Sequence, residues 1–303
     1  MILLIFASSF AQLGLGDILM PGTGRTAIIR SPILNDHSFN PASFSDKIYT
    51  EFTSKITFSS SRQFTPTISS IGLSIPAMKK INIGMGVDML YNQNFSYTFP
   101  EDTNKWDTYT QKITRIGNIL RYFGFLSFKS GKMRLGAMYG YIHGNSEYRW
   151  TIDFTRYRDI HDTTFTEYKG LTYSGGIAYT FDRTQIGIFG EKVYIKGDTT
   201  EFTHYNICAG VSFKAGDIEI LFSLFNLNPQ IGIIWNEISL GGGYTNWWDE
   251  HVLEKHVGLS YTHKLKDNPF TLFFMLRHLE DTGTGYGLED TEYCAGFSFE
   301  FNE

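Results

Sequence analysis

The chain has 303 residues, of which 16% are aromatic and 19% charged, with 30 glycines and only 8 prolines. This composition favours many β-strands over helices or disorder. A net charge of -5 and a pI near 5.9 exclude the basic surface that is typical of nucleic-acid binding. The two cysteines, Cys208 and Cys294, are too few for a disulfide framework and lack the spacing of a zinc site.

The first eleven residues are apolar and end in small residues, with Ser9 and Ala11 at the -3 and -1 positions of a signal-peptidase site. We interpret residues 1–11 as a truncated signal peptide that is cleaved before Gln12, which predicts export. A hydrophobic first strand is the alternative, because no positively charged segment precedes the apolar residues. Beyond residue 11, no apolar run reaches the roughly 18 residues of a transmembrane helix.

Most of the chain beyond residue 46 alternates between apolar and polar residues with a period of two, which predicts β-strands. In 171–182, for example, the odd positions are mostly large and apolar, whereas the even positions are small or polar. Such a polar second face indicates a polar lumen, and tyrosine and phenylalanine near strand ends indicate the aromatic girdles of a membrane barrel. The predicted strands reach about eleven residues, the length that a tilted strand needs to cross a bilayer.

Fourteen strands of this kind are predicted within residues 47–303, joined alternately by tight turns and by longer polar loops. The longer loops, at 93–111, 149–167, 247–254 and 281–290, are expected on the extracellular side and the tight turns on the periplasmic side. The sequence therefore predicts an all-β fold, a transmembrane antiparallel β-barrel of about 14 strands. If 230–246 formed one strand instead of two, the even strand count of such barrels would fail.

Residues 12–46 lack sustained alternation, and they contain a glycine-rich stretch and the tripeptide Asn40, Pro41 and Ala42 just before the first strand. This arrangement resembles the start of FadL-type outer-membrane transporters of hydrophobic compounds and of the related PorV/PorQ group. The resemblance implies that residues 12–46 form a luminal plug, with the tripeptide at its hatch. It also implies passive uptake of hydrophobic small molecules such as fatty acids. A PorV-like role, in which the barrel binds or shuttles exported proteins without transporting small molecules, is the alternative.

The alternation also assigns charges of both signs to the lumen: Glu51, Lys55, Asp88, Arg115, Arg121, Arg134, His204, Glu219 and Arg277. Arg115, Arg121 and Arg134 can bind a carboxylate, because a guanidinium group donates two parallel hydrogen bonds. Alternatively, these arginines pair with luminal carboxylates such as Asp88, or with the plug, and lock a filled lumen. Gly84 and Gly86 in the third strand predict either a bend that opens the wall or space for the plug.

Neither a nucleophile elbow nor a zinc-protease motif occurs. We therefore expect no enzyme activity, catalytic residue, metal or cofactor, and we expect the chain in the bacterial outer membrane. The aromatic ending Phe297, Phe299 and Phe301 resembles the C-terminal signature by which outer-membrane barrels are recognised for assembly. The expected partners are the lipid bilayer, a hydrophobic small-molecule ligand and, during biogenesis, the barrel-assembly machinery.

Overall fold

A computed structural model describes residues 41–42, 48–59, 65–92, 94–98, 101–103, 107–198, 201–247, 252–265, 268–281 and 289–302. Across these ranges the backbone is strand, turn or bend, as the many aromatic and β-branched residues favour. In the same ranges, no helix is long and apolar enough to cross a membrane.

The strands follow one another with few interruptions. They are β1 (Tyr49–Ser59), β2 (Thr65–Met78), β3 (Ile81–Asn92), β4 (Phe95–Thr98), β5 (Asp102–Thr103), β6 (Thr108–Ser130), β7 (Met133–Phe154), β8 (Ile160–Phe181), β9 (Thr184–Lys196), β10 (Glu201–Ala215), β11 (Ile218–Phe225), β12 (Asn228–Trp235), β13 (Ile238–Trp247), β14 (Val252–Leu265), β15 (Asn268–Asp281) and β16 (Glu289–Asn302). Their lengths differ widely, because β6, β7 and β8 have 22 or 23 residues each, whereas β11 and β12 have eight.

Backbone hydrogen bonds join fourteen of these strands into a closed antiparallel ring. Consecutive strands pair from β1 to β3 and from β6 to β16. The ring closes because β3 pairs with β6 and because β16 pairs with β1 along the whole length of β1. The short strands β4 and β5 pair with the N-terminal part of β6, at residues 112–115 and 108–109. The predicted antiparallel barrel of 14 strands is therefore confirmed.

The two faces of the barrel wall differ as the alternation predicts. Along β11 the exposed side chains face outward and the buried ones face the lumen, and the same alternation holds along β8 and β10. The outer face is covered with exposed apolar side chains, among them Ile71, Ile83, Met85, Leu126, Ile177, Ile188, Ile207, Ile220, Ile233, Leu259 and Leu272. A surface of this kind is stable only against an apolar solvent, so it is the face that the bilayer covers.

Aromatic side chains border this apolar face at both ends of the barrel. At the end where β1 begins and β16 ends, the Phe270 and Phe297 rings lie 6.0 Å apart and the Tyr179 and Phe181 rings 4.5 Å apart. Toward the opposite end, Tyr139, Tyr173, Lys192 and Tyr205 occupy one hydrogen-bonded row across β7 to β10. The Lys192 ammonium lies 5.4 Å from the centre of the Tyr205 ring. Amphipathic rings and a long basic side chain are suited to the headgroup level of a membrane.

Tight turns lie at the end of the barrel where β1 begins and β16 ends. Gly131 and Gly216 adopt positive φ values of 59° and 63° in two of these turns, a conformation that glycine accepts without a Cβ clash. Asn236, with a φ of 52°, separates β12 from β13. The segment 230–246 therefore contains two strands, and the even strand count holds.

The extracellular part of the wall is taller on one side than the sequence predicts. The predicted loop at 149–167 is mostly strand, because β7 continues to Phe154 and β8 begins at Ile160. Side chains above the bilayer are solvated on the outside, so this part of each strand lacks the apolar and polar alternation that marks a membrane-spanning strand.

A β-bulge interrupts the alternation in β3. The register with β6 shifts between Met89 and Tyr91, so Met89 and Leu90 are both buried. Met89 still pairs with the outward-facing Leu120, and the bulge adds one residue to β3 beyond this pair. The bulge places Leu90 on the luminal wall beside Ile119.

The lipid-facing belt predicts different costs for one substitution at two depths on the same strand. Leu126 and Ile116 of β6 both face outward, with exposed fractions of 52% and 47%, but Ile116 lies beyond the aromatic row. We expect Leu126→Arg to lower the free energy of unfolding in lipid vesicles by about 2–4 kcal/mol and Ile116→Arg by at most about 1 kcal/mol. Urea titration followed by tryptophan fluorescence measures both values. Equal losses contradict the assigned membrane boundary.

Candidate functional site in the barrel lumen

Three buried charged side chains form the centre of the luminal wall. The guanidinium group of Arg121 on β6 donates to both carboxylate oxygens of Asp88 on β3, at 3.0 and 2.5 Å. Its Nη1 donates to Oε1 of Glu191 on β9 at 2.6 Å. Arg121 is fully buried, and Asp88 and Glu191 are nearly so. Charges taken out of water are tolerated when they are paired and hydrogen-bonded in this way.

Polar side chains extend this charged centre along the wall. Thr172 on β8 and Asn206 on β10 donate to the Glu191 carboxylate at 3.2 and 3.0 Å. Asn206 Oδ1 in turn lies 2.8 Å from His204 Nε2 and accepts from Asn226 Nδ2 at 3.3 Å. The luminal network therefore runs from β3 to the turn between β11 and β12.

A glycine on β7 helps Arg121 to reach across β7 and β8. A Cβ added at Gly140 of β7 would lie 2.8 Å from the Thr172 methyl carbon, 3.0 Å from the Tyr122 carbonyl oxygen and 3.2 Å from Arg121 Cγ. These distances are shorter than ordinary van der Waals contacts, so any side chain here would displace a neighbour. The flat wall at Gly140 allows the arginine on β6 to reach the carboxylate on β9.

An apolar cluster lies next to the charged network on the luminal wall. Its buried members come from five strands and are Leu90, Ile119, Ile142, Tyr168, Val193 and Ile195. The half-buried Phe202 packs against them. The lumen of a polar channel is lined by hydrophilic side chains. Here the side chains are instead apolar and pack against one another, with exposed fractions of 0–6%.

Arg115 lies at the far side of this apolar cluster. Its Nη2 donates to the Tyr168 hydroxyl at 2.6 Å and to Ser146 Oγ at 3.3 Å. Tyr168 thus belongs to the cluster through its ring and to a polar contact through its hydroxyl, as amphipathic tyrosines often do. The structure separates Arg115 from Arg121, which is held by Asp88 and Glu191.

Two phenylalanine rings cover the predicted glycine positions of β3. A Cβ added at Gly84 would collide with the Phe125 ring, and one at Gly86 would lie 2.5 Å from Phe123 Cζ. The strand ladders of β3 with β2 and β6 are continuous through both glycines. Gly84 and Gly86 therefore make room for luminal rings. The Phe123 ring also lies 5.5 Å from the Arg121 guanidinium carbon, within the range of a cation–π contact.

The end of the predicted hatch lies against the inner wall. Pro41 and Ala42 are buried, and a Cβ at Gly136 on the luminal face of β7 would collide with the Pro41 carbonyl. Asn40 and residues 12–39 lie outside the described residues. Arg134 is half-buried near the β6–β7 turn and two residues from Gly136. Pro41, Ala42 and Arg134 thus lie near the same end of the barrel.

A second buried polar group occupies the opposite wall. His256 Nε2 of β14 donates to Gln230 Oε1 of β12 at 2.6 Å, and its Nδ1 lies 3.3 Å from Glu254 Oε1. Arg277 of β15 pairs with His256 in the strand register and is also buried. Of the other predicted luminal charges, His204 and Glu219 are half-buried, whereas the side chains of Glu51 and Lys55 lie outside the described part.

The sequence reading missed Glu191, Glu254, His256 and Gln230. In β9 both faces are largely apolar, because Phe189, Val193 and Ile195 face the lumen while Ile186 and Ile188 face outward. Period-two alternation is therefore weak there, and Glu191 stands next to an outward-facing lysine. Alternate residues counted along β9 from the tight turn at 182–183 place Glu191 on the luminal side. This count is the feature of the sequence that locates Glu191.

No protein-family model and no curated protein sequence matches the chain. Among solved structures, the Ralstonia pickettii toluene transporter TbuX superposes with a TM-score of 0.59 at 10% identity, over 97% of this chain and 99% of that one. The Pseudomonas putida toluene transporter TodX gives a TM-score of 0.50 at 10% identity, over 87% and 92%. A deltaS2S3 mutant of TodX, described as a monoaromatic hydrocarbon channel, gives 0.56 at 11% identity, over 95% and 99%.

The chain has the fold of these transporters. The FadL-type resemblance indicated by the sequence is thus confirmed at the level of the fold. The closed ring, the apolar outer face and this shared fold place the protein in the bacterial outer membrane.

The charged network predicts strong coupling among its three members. Arg121→Met leaves two buried carboxylates without their guanidinium partner, so we expect a loss of about 3–5 kcal/mol in the free energy of unfolding. The triple variant Asp88→Asn, Arg121→Met and Glu191→Gln removes all three charges and should recover most of this loss. Urea unfolding in lipid vesicles measures both variants. An Arg121→Met protein as stable as the parent contradicts a stabilising role for the network.

Proposed function

We propose that the protein mediates passive uptake of hydrophobic small molecules across the outer membrane. The apolar cluster on the luminal wall carries this proposal, since a channel for polar solutes has no need for one. An apolar molecule gains about 0.8 kcal/mol for each methylene group that leaves water. A molecule that inserts among these six buried apolar side chains leaves water, which gives it a favourable position inside the barrel.

The toluene transporters that share the fold support the same general class of substrate. Neutral hydrocarbons need only the apolar wall. Fatty acids also belong to the proposed class, with Arg115 as the group that receives the carboxylate, because it borders the cluster through Tyr168. Arg121 is excluded from this role, since its donors are directed at Asp88 and Glu191. This function requires passage and no chemical reaction.

Uptake of a radiolabelled aromatic hydrocarbon into cells tests the proposal. Ile142→Gln places an amide in the centre of the apolar cluster, and an unsatisfied amide costs about 1 kcal/mol or more. We therefore expect uptake to fall by about fivefold or more. Met275→Gln is the matched control, because Met275 is also a buried luminal residue but lies on the wall of β15. Equal uptake by both variants, with normal heat-modifiable migration on gels, contradicts a role for the cluster.

The N-terminal segment is proposed to fill part of the lumen. The burial of Pro41 and Ala42 against Gly136 supports this, because it brings the chain inside the barrel immediately before β1. Deletion of residues 12–38, with the signal peptide and the tripeptide retained, should leave a folded barrel whose ion conductance in planar bilayers is several times that of the full chain. Saturable uptake of apolar solutes should fall in the same protein. Unchanged conductance would place the segment outside the lumen.

A second function, the binding of an exported protein, is favoured by apolar side chains above the membrane. Tyr157, Ile160 and Phe165 on the tall side of the wall have exposed fractions of 59%, 46% and 70%. A channel does not use these side chains, so Phe165→Ser should leave hydrocarbon uptake unchanged. Loss of an exported protein from the outer membrane of cells that carry Phe165→Ser, with uptake unchanged, identifies the second function.

A further inference from the structure

Lys192 of β9 lies on the outer face of the barrel between two tyrosines. The strand register places Tyr173 of β8 and Tyr205 of β10 directly beside Lys192, one on each side. The Lys192 ammonium lies 5.9 Å from the centre of the Tyr173 ring and 5.4 Å from the centre of the Tyr205 ring, within the range of a cation–π contact. Three neighbouring strands thus build one cationic site that faces away from the lumen.

The depth of Lys192 in the membrane follows from the outward-facing residues of the same strands. On one side of it, the outer face of β9 is apolar and carries Ile188 and Ile186. On the other side, the next outward-facing charges form one row across the three strands: Lys169, Lys196 and Glu201. That row lies four residues further along β9, which corresponds to about 13 Å. Lys192 is therefore the outward-facing charge nearest the apolar belt on this side, at the level of the lipid headgroups.

The charges of the next row have counter-charges within the protein. Lys169 Nζ lies 2.9 Å from Glu167 Oε1, and Lys196 stands beside Glu201 in the strand register. Around Lys192, the described residues of the outer wall supply two phenol groups and no carboxylate. A positive charge at the membrane surface attracts the anionic groups of lipids, and the common anion of lipid headgroups is phosphate. Charge complementarity therefore points to a lipid phosphate as the partner of Lys192.

The two tyrosines add hydrogen-bond donors to this positive charge. A phenol oxygen accepts from an ammonium group, and its own O–H remains able to donate to another acceptor. Tyr173 and Tyr205 have exposed fractions of 44% and 60%, so a group outside the wall can reach their hydroxyls. The site thus presents an ammonium group and two phenol O–H groups to the membrane. A tetrahedral phosphate has enough acceptor oxygens to bind all three groups.

We propose that Lys192, Tyr173 and Tyr205 form a binding site for the phosphate of a lipid headgroup in the outer leaflet. The phosphate accepts from the ammonium group and from both phenols. The acyl chains of the same lipid lie along the apolar side chains of the belt, such as Ile188 and Ile207. A free phosphate ion lacks this second contact, so we assign the site to a lipid. The site lies on the outer face and is independent of the proposed uptake through the lumen.

Native mass spectrometry of the full barrel, released from neutral detergent that contains lipid A, tests the proposal. Lipid A is a glycolipid with two phosphate groups, and its dephosphorylated form shows what the sugars and acyl chains contribute alone. We expect Lys192→Gln to lower the fraction of barrel with bound lipid A by about fivefold or more, because the charge is lost. Lys192→Arg keeps the charge and should retain at least about half of the binding. Tyr173→Phe with Tyr205→Phe keeps both rings, removes both hydroxyls and should lower the binding several-fold.

Lys169→Gln is the matched control, because Lys169 is an exposed lysine on the same outer face whose ammonium is already paired with Glu167. This variant should change the binding of lipid A by less than about twofold. Heat-modifiable migration on gels verifies that each variant is folded.

Four results overturn the proposal. The first is absence of bound lipid A in the parent protein, and the second is an equal bound fraction in the parent and in Lys192→Gln or equal losses in Lys192→Gln and Lys169→Gln. The third is equal binding of lipid A and its dephosphorylated form, which indicates contacts with acyl chains and sugars only. The fourth is displacement of lipid A by an equal concentration of inorganic phosphate, which indicates a site for the free ion.

Discussion

The bilayer requires every backbone N–H and C=O group within it to be paired inside the protein, and this requirement determines the rest of the structure. A sheet meets it only by closing on itself, and the pairings of β1 with β16 and of β3 with β6 supply the closure. The eight residues of β11 and β12 are close to the minimum that a tilted strand needs to cross the apolar layer. Above this level the requirement no longer applies, and the wall is free to be tall at β6–β8 and low at β11–β12.

Closure also encloses a lumen whose wall must satisfy its own side chains. Glycine is what allows large side chains to lie flat on this wall. Gly84 and Gly86 accommodate the rings of Phe125 and Phe123, and Gly140 accommodates the crossing of Arg121. Each glycine thus matters because of a neighbour on the next strand rather than because of a bend in its own. This explains why the ladders of β3 with β2 and β6 continue past Gly84 and Gly86.

The sequence predicted the barrel because membrane strands repeat one simple pattern, apolar outside and polar inside. The same pattern assigned Asp88 and Arg121 to the lumen, where the structure has them. It did not reveal Glu191 or the apolar cluster, because in β9 the luminal face is itself apolar and the alternation disappears. It also did not reveal the bulge after Met89, which shifts the register by one residue, because no residue type in 81–92 marks it. Pairing between strands far apart in the sequence determines these features, and a single strand carries no information about them.

The charged network and the apolar cluster occupy neighbouring parts of one wall. They can lie side by side because the charges of the network are paired with one another. The charges of Asp88, Arg121 and Glu191 are directed at one another along the wall rather than across the lumen. An apolar solute that passes these charges therefore breaks no hydrogen bond of the network and leaves the partners of Arg121 in place. An isolated buried charge would instead hold ordered water, which an apolar solute displaces only at a cost. Mutual pairing thus allows a polar wall to lie beside an apolar one. The proposed uptake is therefore compatible with charged side chains in the lumen.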